Sequence, residues 1–160
     1  MAQLVIVDIS DLKTSEDPGA TLITYALGSC IAVMAYDPHR RCGGMIHYML
    51  PLSSTAKDKA TEKPAMFADT GVPLLFETLY GLGCRKQDLV VKVAGGASLY
   101  DDKGIFNIGQ RNYTVLRKIF WKNNVMIAKE DVGGAKSRTP RLFVADGRVT
   151  ISSQGVEVEL

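Results

Sequence analysis

The chain has 160 residues, of which 46% are hydrophobic and 22% charged, and its formal net charge is +2. This length and composition are typical of one globular domain that needs no metal or disulfide staple, and they exclude a disordered tail or a collagen-like repeat. The small net charge gives no sign of a nucleic-acid partner. Without a signal peptide or an apolar run long enough to span a bilayer, we expect a cytoplasmic domain over residues 1–160 with no membrane insertion.

Short β-like runs dominate the first part of the chain. Continuous apolar stretches between turn signals such as Pro18-Gly19 and Asp37-Pro38 are typical of strands. They predict strands over residues 4–9, 22–27, 31–36 and 45–50. Residues 13–19 are polar and predict a turn, and residues 52–63, also polar, predict a surface loop.

The second part of the chain combines helical and β-like patterns. Five apolar residues recur at the i, i+3, i+4, i+7, i+8 spacing of one helix face: Val72, Leu75, Phe76, Leu79 and Tyr80. They predict a helix that starts at Asp69 or Thr70 and ends near Gly81. A second helix is predicted over residues 110–122, and strands over 89–94, 125–128, 142–145 and 149–152. The elements together indicate a mixed α/β or α+β domain.

Cys30 is the most suggestive thiol of the chain. It follows the small residues Gly28 and Ser29, which leave room for a substrate carbonyl and allow backbone N–H groups to face it. A cysteine nucleophile needs a base, usually histidine, and His47 lies in an apolar stretch where its imidazole must find a partner. The turn after residue 36 brings the two residues within reach. The alternative is that both are ordinary core residues.

The remaining cysteines and the other histidine give weaker signals. Three cysteines cannot all pair internally, and we expect free thiols. The neighbours of Cys42 indicate an exposed turn, Cys84 looks incidental, and His39 lies in a polar turn where it is solvated. No C-x-x-C pair is present, so no metal site is predicted. We expect iodoacetamide to label Cys30 first, with a depressed thiol pKa.

Positive charge is concentrated in residues 111–148. This segment holds nine Lys and Arg against three Asp and Glu, a local charge of +6, which leaves −4 for the remainder. Such a segment is either a solvated face or a surface that steers an acidic protein partner.

Five ordered segments resemble the signature of the CheD chemotaxis family. They are TYALGSC (24–30), GGMIHYMLP (43–51), KVAGGA (92–97), NIGQRN (107–112) and DVGG (131–134). The resemblance covers about residues 3–152. One departure is Ser137-Arg138, where the family commonly has a Gly-Arg pair, and it bears on the shape of that loop.

The resemblance implies a deamidase that converts glutamines of methyl-accepting chemotaxis receptors to glutamate without a cofactor. It makes Cys30 the nucleophile, His47 the base and Thr24 the third member of the set. It also implies an α+β fold of packed mixed sheets with two main helices, similar to the catalytic domain of cytotoxic necrotizing factor toxins. The CheC phosphatase is an expected partner, and a non-catalytic regulator of CheC and receptors is the alternative function.

Substrate binding and stabilisation of the oxyanion are expected from small residues near the thiol. The backbone N–H of Cys30 and a neighbouring glycine-rich loop are the candidate donors. The residues assigned to this group are Gly28, Ser29, Gly95 and Gly96.

Overall fold

The computed structural model describes residues 3–98 and 107–160. Within these ranges the chain forms ten strands, which belong to two five-stranded sheets. The strands are β1 (Gln3–Ile6), β2 (Asp11–Ser15), β3 (Ala20–Ile23), β4 (Ile31–Asp37), β5 (Cys42–Tyr48), β6 (Val90–Gly95), β7 (Ile127–Val132), β8 (Thr139–Phe143), β9 (Val149–Ser153) and β10 (Val156–Glu159).

The helices lie in the two segments that connect β5 to β6 and β6 to β7. The α-helices of the described ranges are α1 (Lys57–Glu62), α2 (Ala68–Gly81) and α3 (Ile108–Lys122), and short 3₁₀ turns cover Ser53–Thr55, Pro64–Met66 and Lys86–Asp88. The two long helices confirm the two predicted ones. None of the described helices is both long and apolar enough to cross a membrane.

Both sheets are mixed. The central sheet has the order β2-β5-β4-β6-β7, and the outer sheet has the order β1-β3-β8-β9-β10. The parallel pairs are β6 with β7 and β1 with β3, and the other neighbours are antiparallel. This arrangement confirms an α+β fold of packed mixed sheets.

Strand β4 is apolar from Ile31 to Tyr36 because both faces of the central sheet are covered. Ile31 and Val33 belong to the core beneath α2 and α3, whereas Ala32 and Met34 belong to the core between the two sheets. Successive side chains of a strand point to opposite faces, so a strand buried on both sides has no polar alternation. The molecule therefore has three layers: helices, central sheet and outer sheet.

Three predictions from local pattern are wrong. The turn predicted from Pro18-Gly19 is present, but residues 11–15, for which no strand was predicted, form β2, which pairs along the edge of the central sheet with β5. Helix α1 forms inside the predicted loop 52–63, and β8 lies at Thr139–Phe143 instead of residues 142–145. The sequence of β2, DLKTS, has no apolar alternation because its residues are only half-buried, so its strand structure depends on pairing with a distant partner.

The cysteines also differ from expectation. Cys42 and Cys84 form a disulfide, with 7.4 Å between their Cα atoms, and Cys30 is the free cysteine. Cys42 is fully buried at the start of β5, whereas we predicted an exposed turn. The chain after α2 returns to the first residue of β5, a contact across 42 positions of sequence that no local pattern reports. His39 lies at the surface as predicted, with 76% of its side chain exposed.

The basic segment 111–148 is partly neutralised by acidic neighbours. Arg138 and Lys136 both lie within ion-pair distance of Asp131. Two more of its arginines, Arg141 and Arg148, each lie 3.9 Å from a glutamate of β10. Because Asp131 belongs to the segment and is already counted in the +6, only the two glutamates of β10 add negative charge, and the segment with these partners keeps a charge of +4.

Candidate active site

Cys30 lies at the start of the middle strand of the central sheet. It directly precedes β4, in which Ala32 pairs with His47 of β5. Residues two apart on a strand share a face, and Cys30 packs in the same inter-sheet core as Ala32. Cys30 and His47 are thus diagonal cross-strand neighbours, a relation in which residues lie about 7–8 Å apart and side chains reach each other.

Thr24 orients the imidazole of His47. Its Oγ1 lies 2.7 Å from His47 Nδ1 and also donates to the backbone carbonyl of Val7 at 2.7 Å. A hydroxyl has one hydrogen, so a Thr24 that donates to Val7 accepts from His47. The imidazole therefore carries its proton on Nδ1, and Nε2 presents a lone pair.

His47 Nε2 is ready to accept a proton. It is buried and has no hydrogen-bond partner among the described residues. Burial lowers the pKa of His47 to about 4, against the smaller opposing effect of the Asp8 carboxylate. The imidazole is therefore neutral at pH 7, which is the form that a general base needs.

The thiol of Cys30 rests in its protonated form. Burial raises the pKa of Cys30, and a hydrogen bond from its own backbone N–H only partly offsets this effect. The expected depressed pKa is therefore wrong for the free protein. No positive charge stabilises a thiolate in the resting site, because both the thiol and the imidazole are neutral. The thiolate therefore forms only as the proton moves to His47 during attack.

The glycine-rich loop after β6 holds the segment that carries Cys30. Gly96 donates its N–H to the Cys30 carbonyl at 2.9 Å, and Ala97 donates to the Gly28 carbonyl at 2.9 Å. Gly95 has φ +113°, and a Cβ there would lie 2.2 Å from the Cys30 carbonyl oxygen. The predicted oxyanion role does not suit Gly96, because its N–H is already used to position the loop.

Arg138 connects this glycine loop to the next strand. Its guanidinium donates to the Gly133 carbonyl at 2.8 Å and lies 3.2 Å from the Asp131 carboxylate. Its backbone pairs with Leu27, three residues before Cys30. The departure from the Gly-Arg pair at Ser137-Arg138 thus leaves the arginine in place, with the Gly133 carbonyl and the Asp131 carboxylate as partners.

The sequence interpretation missed three groups around these residues. Val7 supplies the carbonyl that fixes the direction of the Thr24 hydroxyl, Asp8 raises the pKa of His47, and Asn112 is a buried amide beside the nucleophile segment. Asn112 lies in the segment NIGQRN, and its place there is the one sequence signal that could have identified it. No such signal exists for the Val7 carbonyl, because every residue carries a backbone carbonyl.

The arrangement defines a class of protein. A thiol, a neutral imidazole with an unpartnered Nε2, and a hydroxyl that fixes the tautomer are the parts of a cysteine-dependent acyl-transfer site. These parts lie where two antiparallel strands end, beside a segment of small residues.

Comparison with known proteins identifies the family. Residues 49–153 match the CheD family, described as chemotactic sensory transduction. The chain is 56% identical over 151 residues to a probable chemoreceptor glutamine deamidase CheD 1 of Syntrophus aciditrophicus, with 94% of each chain covered. It is 51% identical over 150 residues to a probable chemoreceptor glutamine deamidase CheD 2 of Anaeromyxobacter dehalogenans, again with 94% of each covered. A protein of Solibacter usitatus with the same family name is 46% identical over 156 residues, covering 98% of this chain and 92% of the relative. The chain belongs to the CheD family.

Proposed function

We propose that this protein is a chemoreceptor glutamine deamidase in which Cys30 is the nucleophile, His47 the base and Thr24 the orienting hydroxyl. The single observation that carries the proposal is the chain of hydrogen bonds from His47 Nδ1 to Thr24 to the Val7 carbonyl. These hydrogen bonds keep the imidazole proton on Nδ1. They leave Nε2, on the side of the Cys30 segment, without a partner among the described residues. The names of the family relatives supply the substrate class.

The first half of the reaction forms a thioester. His47 Nε2 takes the proton of Cys30 as Sγ attacks the side-chain carbonyl carbon of a glutamine. The S–C bond forms, and the carbonyl electrons move to oxygen. His47 then returns its proton to the amide nitrogen, the C–N bond breaks and ammonia leaves.

The oxyanion of this step is stabilised by a backbone donor at the nucleophile itself. The N–H of Cys30 lies against its own sulfur and has no other partner in the described ranges. A donor in this position faces the oxygen of any carbonyl carbon that Sγ attacks. Gly28 and Ser29 leave the approach unobstructed by bulky side chains.

The second half hydrolyses the thioester. Water gives a proton to His47 Nε2 as its oxygen attacks the acyl carbon, the C–S bond breaks, and Cys30 recovers its proton. The product is a receptor glutamate, which adds one negative charge and alters packing among receptor helices. No step draws on an organic cofactor or a metal ion.

The wider setting of this activity is part of the same proposal. We place the reaction in the cytoplasm, on the helical cytoplasmic region of a methyl-accepting receptor, with residues 1–160 acting as one domain. Similarity to the catalytic domain of cytotoxic necrotizing factor toxins remains a prediction from the family resemblance. Binding of the CheC phosphatase remains a prediction from the family resemblance.

The test is mass spectrometry of a receptor cytoplasmic fragment incubated with the protein. We expect ammonia release and a shift of about +1 Da at individual glutamines with the parent chain, and neither with Cys30→Ala, because removing a nucleophile typically abolishes covalent turnover. The double variant Cys42→Ala/Cys84→Ala is the matched control, since it removes the other two sulfurs together and leaves Cys30 as the free thiol.

Two outcomes contradict the proposal. Full deamidation by Cys30→Ala excludes Cys30 as the nucleophile. Failure of the parent chain to deamidate, together with unchanged binding of CheC by the parent and by Cys30→Ala, favours the non-catalytic regulator.

A further inference from the structure

Asn112 of α3 joins the two strand ends that carry the thiol and the imidazole. Its Nδ2 donates to the Ser29 carbonyl and to the Met49 carbonyl, each at 2.9 Å. Ser29 is the residue before Cys30, and Met49 lies two residues after His47. One amide nitrogen therefore spans the start of β4 and the end of β5, and its two hydrogens are both used.

The amide of Asn112 is isolated from water and points in one direction. The residue is fully buried, and its Oδ1 has no hydrogen-bond partner among the described residues. A rotated amide would set Oδ1 against two carbonyl oxygens, which repel it, so the observed orientation is the only favourable one. Burial of Oδ1 without a partner is unfavourable, and the two hydrogen bonds from Nδ2 offset this cost.

The contact with Ser29 determines where the Cys30 N–H points. In a trans peptide the carbonyl of one residue and the N–H of the next face opposite directions. Because Asn112 draws the Ser29 carbonyl toward α3, the Cys30 N–H is directed away from the helix. That N–H is the donor assigned above to the oxyanion.

We infer that Asn112 is a positioning residue for the deamidation reaction. It acts by holding the Ser29–Cys30 peptide in the orientation that presents the Cys30 N–H to the oxyanion, and by fixing the separation of the β4 and β5 ends. It makes no contact with the reacting atoms. The inference rests on the proposed function, and it assigns a role to a residue outside the Cys30, His47 and Thr24 set.

Asn112→Leu tests this inference, because leucine has nearly the same shape and no hydrogen-bond donor. Asn112→Ser is the second variant, with a smaller side chain that cannot reach both carbonyls. Tyr48→Phe is the matched control: it removes the bond of 2.8 Å from the Tyr48 hydroxyl to the Asn112 backbone carbonyl and leaves the amide in place. All three variants lose buried hydrogen bonds at the same contact between α3 and β5.

The main measurement is steady-state deamidation of the receptor fragment, expressed per folded molecule at a temperature where near-ultraviolet circular dichroism shows a native signal. We expect kcat to fall by about 10–100-fold in both Asn112 variants with KM nearly unchanged, as for other residues that orient a catalytic group through hydrogen bonds. We expect Tyr48→Phe to stay within about threefold of the parent.

The second measurement is the pH dependence of Cys30 alkylation by iodoacetamide, which needs no substrate. Loss of the amide admits water to the nucleophile segment, so we expect the alkylation midpoint to move to lower pH in the Asn112 variants. We expect no movement in Tyr48→Phe. If the parent chain releases no ammonia, the proposed function fails, and the alkylation profiles alone then decide the role of Asn112.

Three results overturn the inference. One is a folded Asn112 variant with parental kcat and alkylation profile, and another is an equal loss of kcat in Tyr48→Phe. The third is failure of both Asn112 variants to fold at any temperature while Tyr48→Phe folds, which assigns the amide to the fold and not to the reaction.

Discussion

The hydroxyl hydrogen of Thr24 determines which nitrogen of His47 carries the imidazole proton. Because its hydroxyl donates to the Val7 carbonyl, it accepts from His47 Nδ1 and fixes the tautomer without adding charge. A carboxylate in this position would also stabilise the imidazolium that forms during attack, whereas a hydroxyl stabilises it less. The low pKa of His47 is consistent with this uncharged environment. We therefore expect modest turnover from this enzyme.

Removal of the Thr24 hydroxyl should reduce the rate without removing the nucleophile or the base. We expect Thr24→Val to lower kcat by about 10–100-fold, since the imidazole loses its orientation. Thr24→Ser, which keeps the hydroxyl, should retain most of the activity. Both are measured by ammonia release from the receptor fragment. Parental kcat in Thr24→Val would show that the hydroxyl has no part in orienting the ring.

Buried His47 makes the fold sensitive to acid. Its pKa is about 4 in the folded chain against an ordinary value of 6.5, so the unfolded chain binds a proton that the folded chain does not in this interval. The stability contributed by neutral His47 is complete above pH 6.5 and decreases as the pH falls toward 4. The total loss is on the order of 3 kcal/mol.

Urea unfolding as a function of pH measures this effect. We expect the difference in free energy of unfolding between the parent and His47→Gln to change between pH 6.5 and pH 4, with the parent losing more stability. His39→Gln is the control, because that side chain is 76% exposed. A pH-independent difference between the parent and His47→Gln would contradict the assigned pKa.

Among the elements, the glycine loop after β6 is the one that sets the position of the nucleophile. Its backbone donates to the carbonyls of Gly28 and Cys30, and its close approach is possible because Gly95 has no side chain. The strand pairing sets the position of Cys30 along the sheet. The hydrogen bonds from this loop hold the backbone on either side of Ser29 and so fix where the thiol lies. The loop therefore has a function in positioning, even though its amides are not free to bind the oxyanion.

Gly95→Ala should displace the nucleophile segment. The new Cβ would lie 2.2 Å from the Cys30 carbonyl oxygen at φ +113°, so the backbone must move. Gly155→Ala, in the turn between β9 and β10, has φ +79° and nothing within 4 Å of its Cβ. We expect Gly155→Ala to lose about 1–2 kcal/mol of stability with parental kcat, since its strain is conformational only.

For Gly95→Ala we expect a larger loss of stability in urea unfolding, and a fall in kcat of at least about tenfold because misplacement of reacting groups is costly. If the two glycine variants behave alike in both stability and kcat, the close approach to Cys30 has no catalytic consequence.

At the scale of the whole molecule, the site forms where the two sheets meet. Thr24 and Val7 follow strands of the outer sheet, whereas Cys30 and His47 belong to the central sheet. Arg138 links the two: its backbone bridges to Leu27, and its guanidinium reaches the carbonyl of Gly133, just past β7. The chemistry thus depends on the packing of one sheet against the other.

Arg138→Met should weaken this link. Its guanidinium is 3% exposed and pairs with Asp131, which is 24% exposed, so we expect a loss of about 2–3 kcal/mol, below that of a fully buried pair. Lys136→Met is the control, because Lys136 is 42% exposed and lies 3.8 Å from the same carboxylate. Its replacement should change stability by less than about 1 kcal/mol. Equal unfolding midpoints for the two variants would contradict a linking role for Arg138.

Prediction from the sequence succeeded where the pattern was local. The apolar spacing of α2 and the continuous apolar run of β4 both indicate elements that the structure contains. It failed at β2 and at the Cys42–Cys84 disulfide, because each depends on partners 28 or more positions away in sequence. Thr24 came from the family resemblance, and Asn112 was not recognised.

Local patterns predicted a mixed α/β or α+β chain with two long helices, a thiol among small residues and a histidine in an apolar strand, and the family resemblance favoured α+β. Those features depend on side chains that are neighbours in the sequence. The nitrogen of His47 that carries the proton, the raised pKa of buried Cys30 and the pairing of two of the three cysteines are seen only in the folded chain. These depend on distances between residues remote in sequence and on exclusion of water, and both arise only when the two sheets pack together. The composition at first indicated three free thiols, and the fold leaves Cys30 as the single free one.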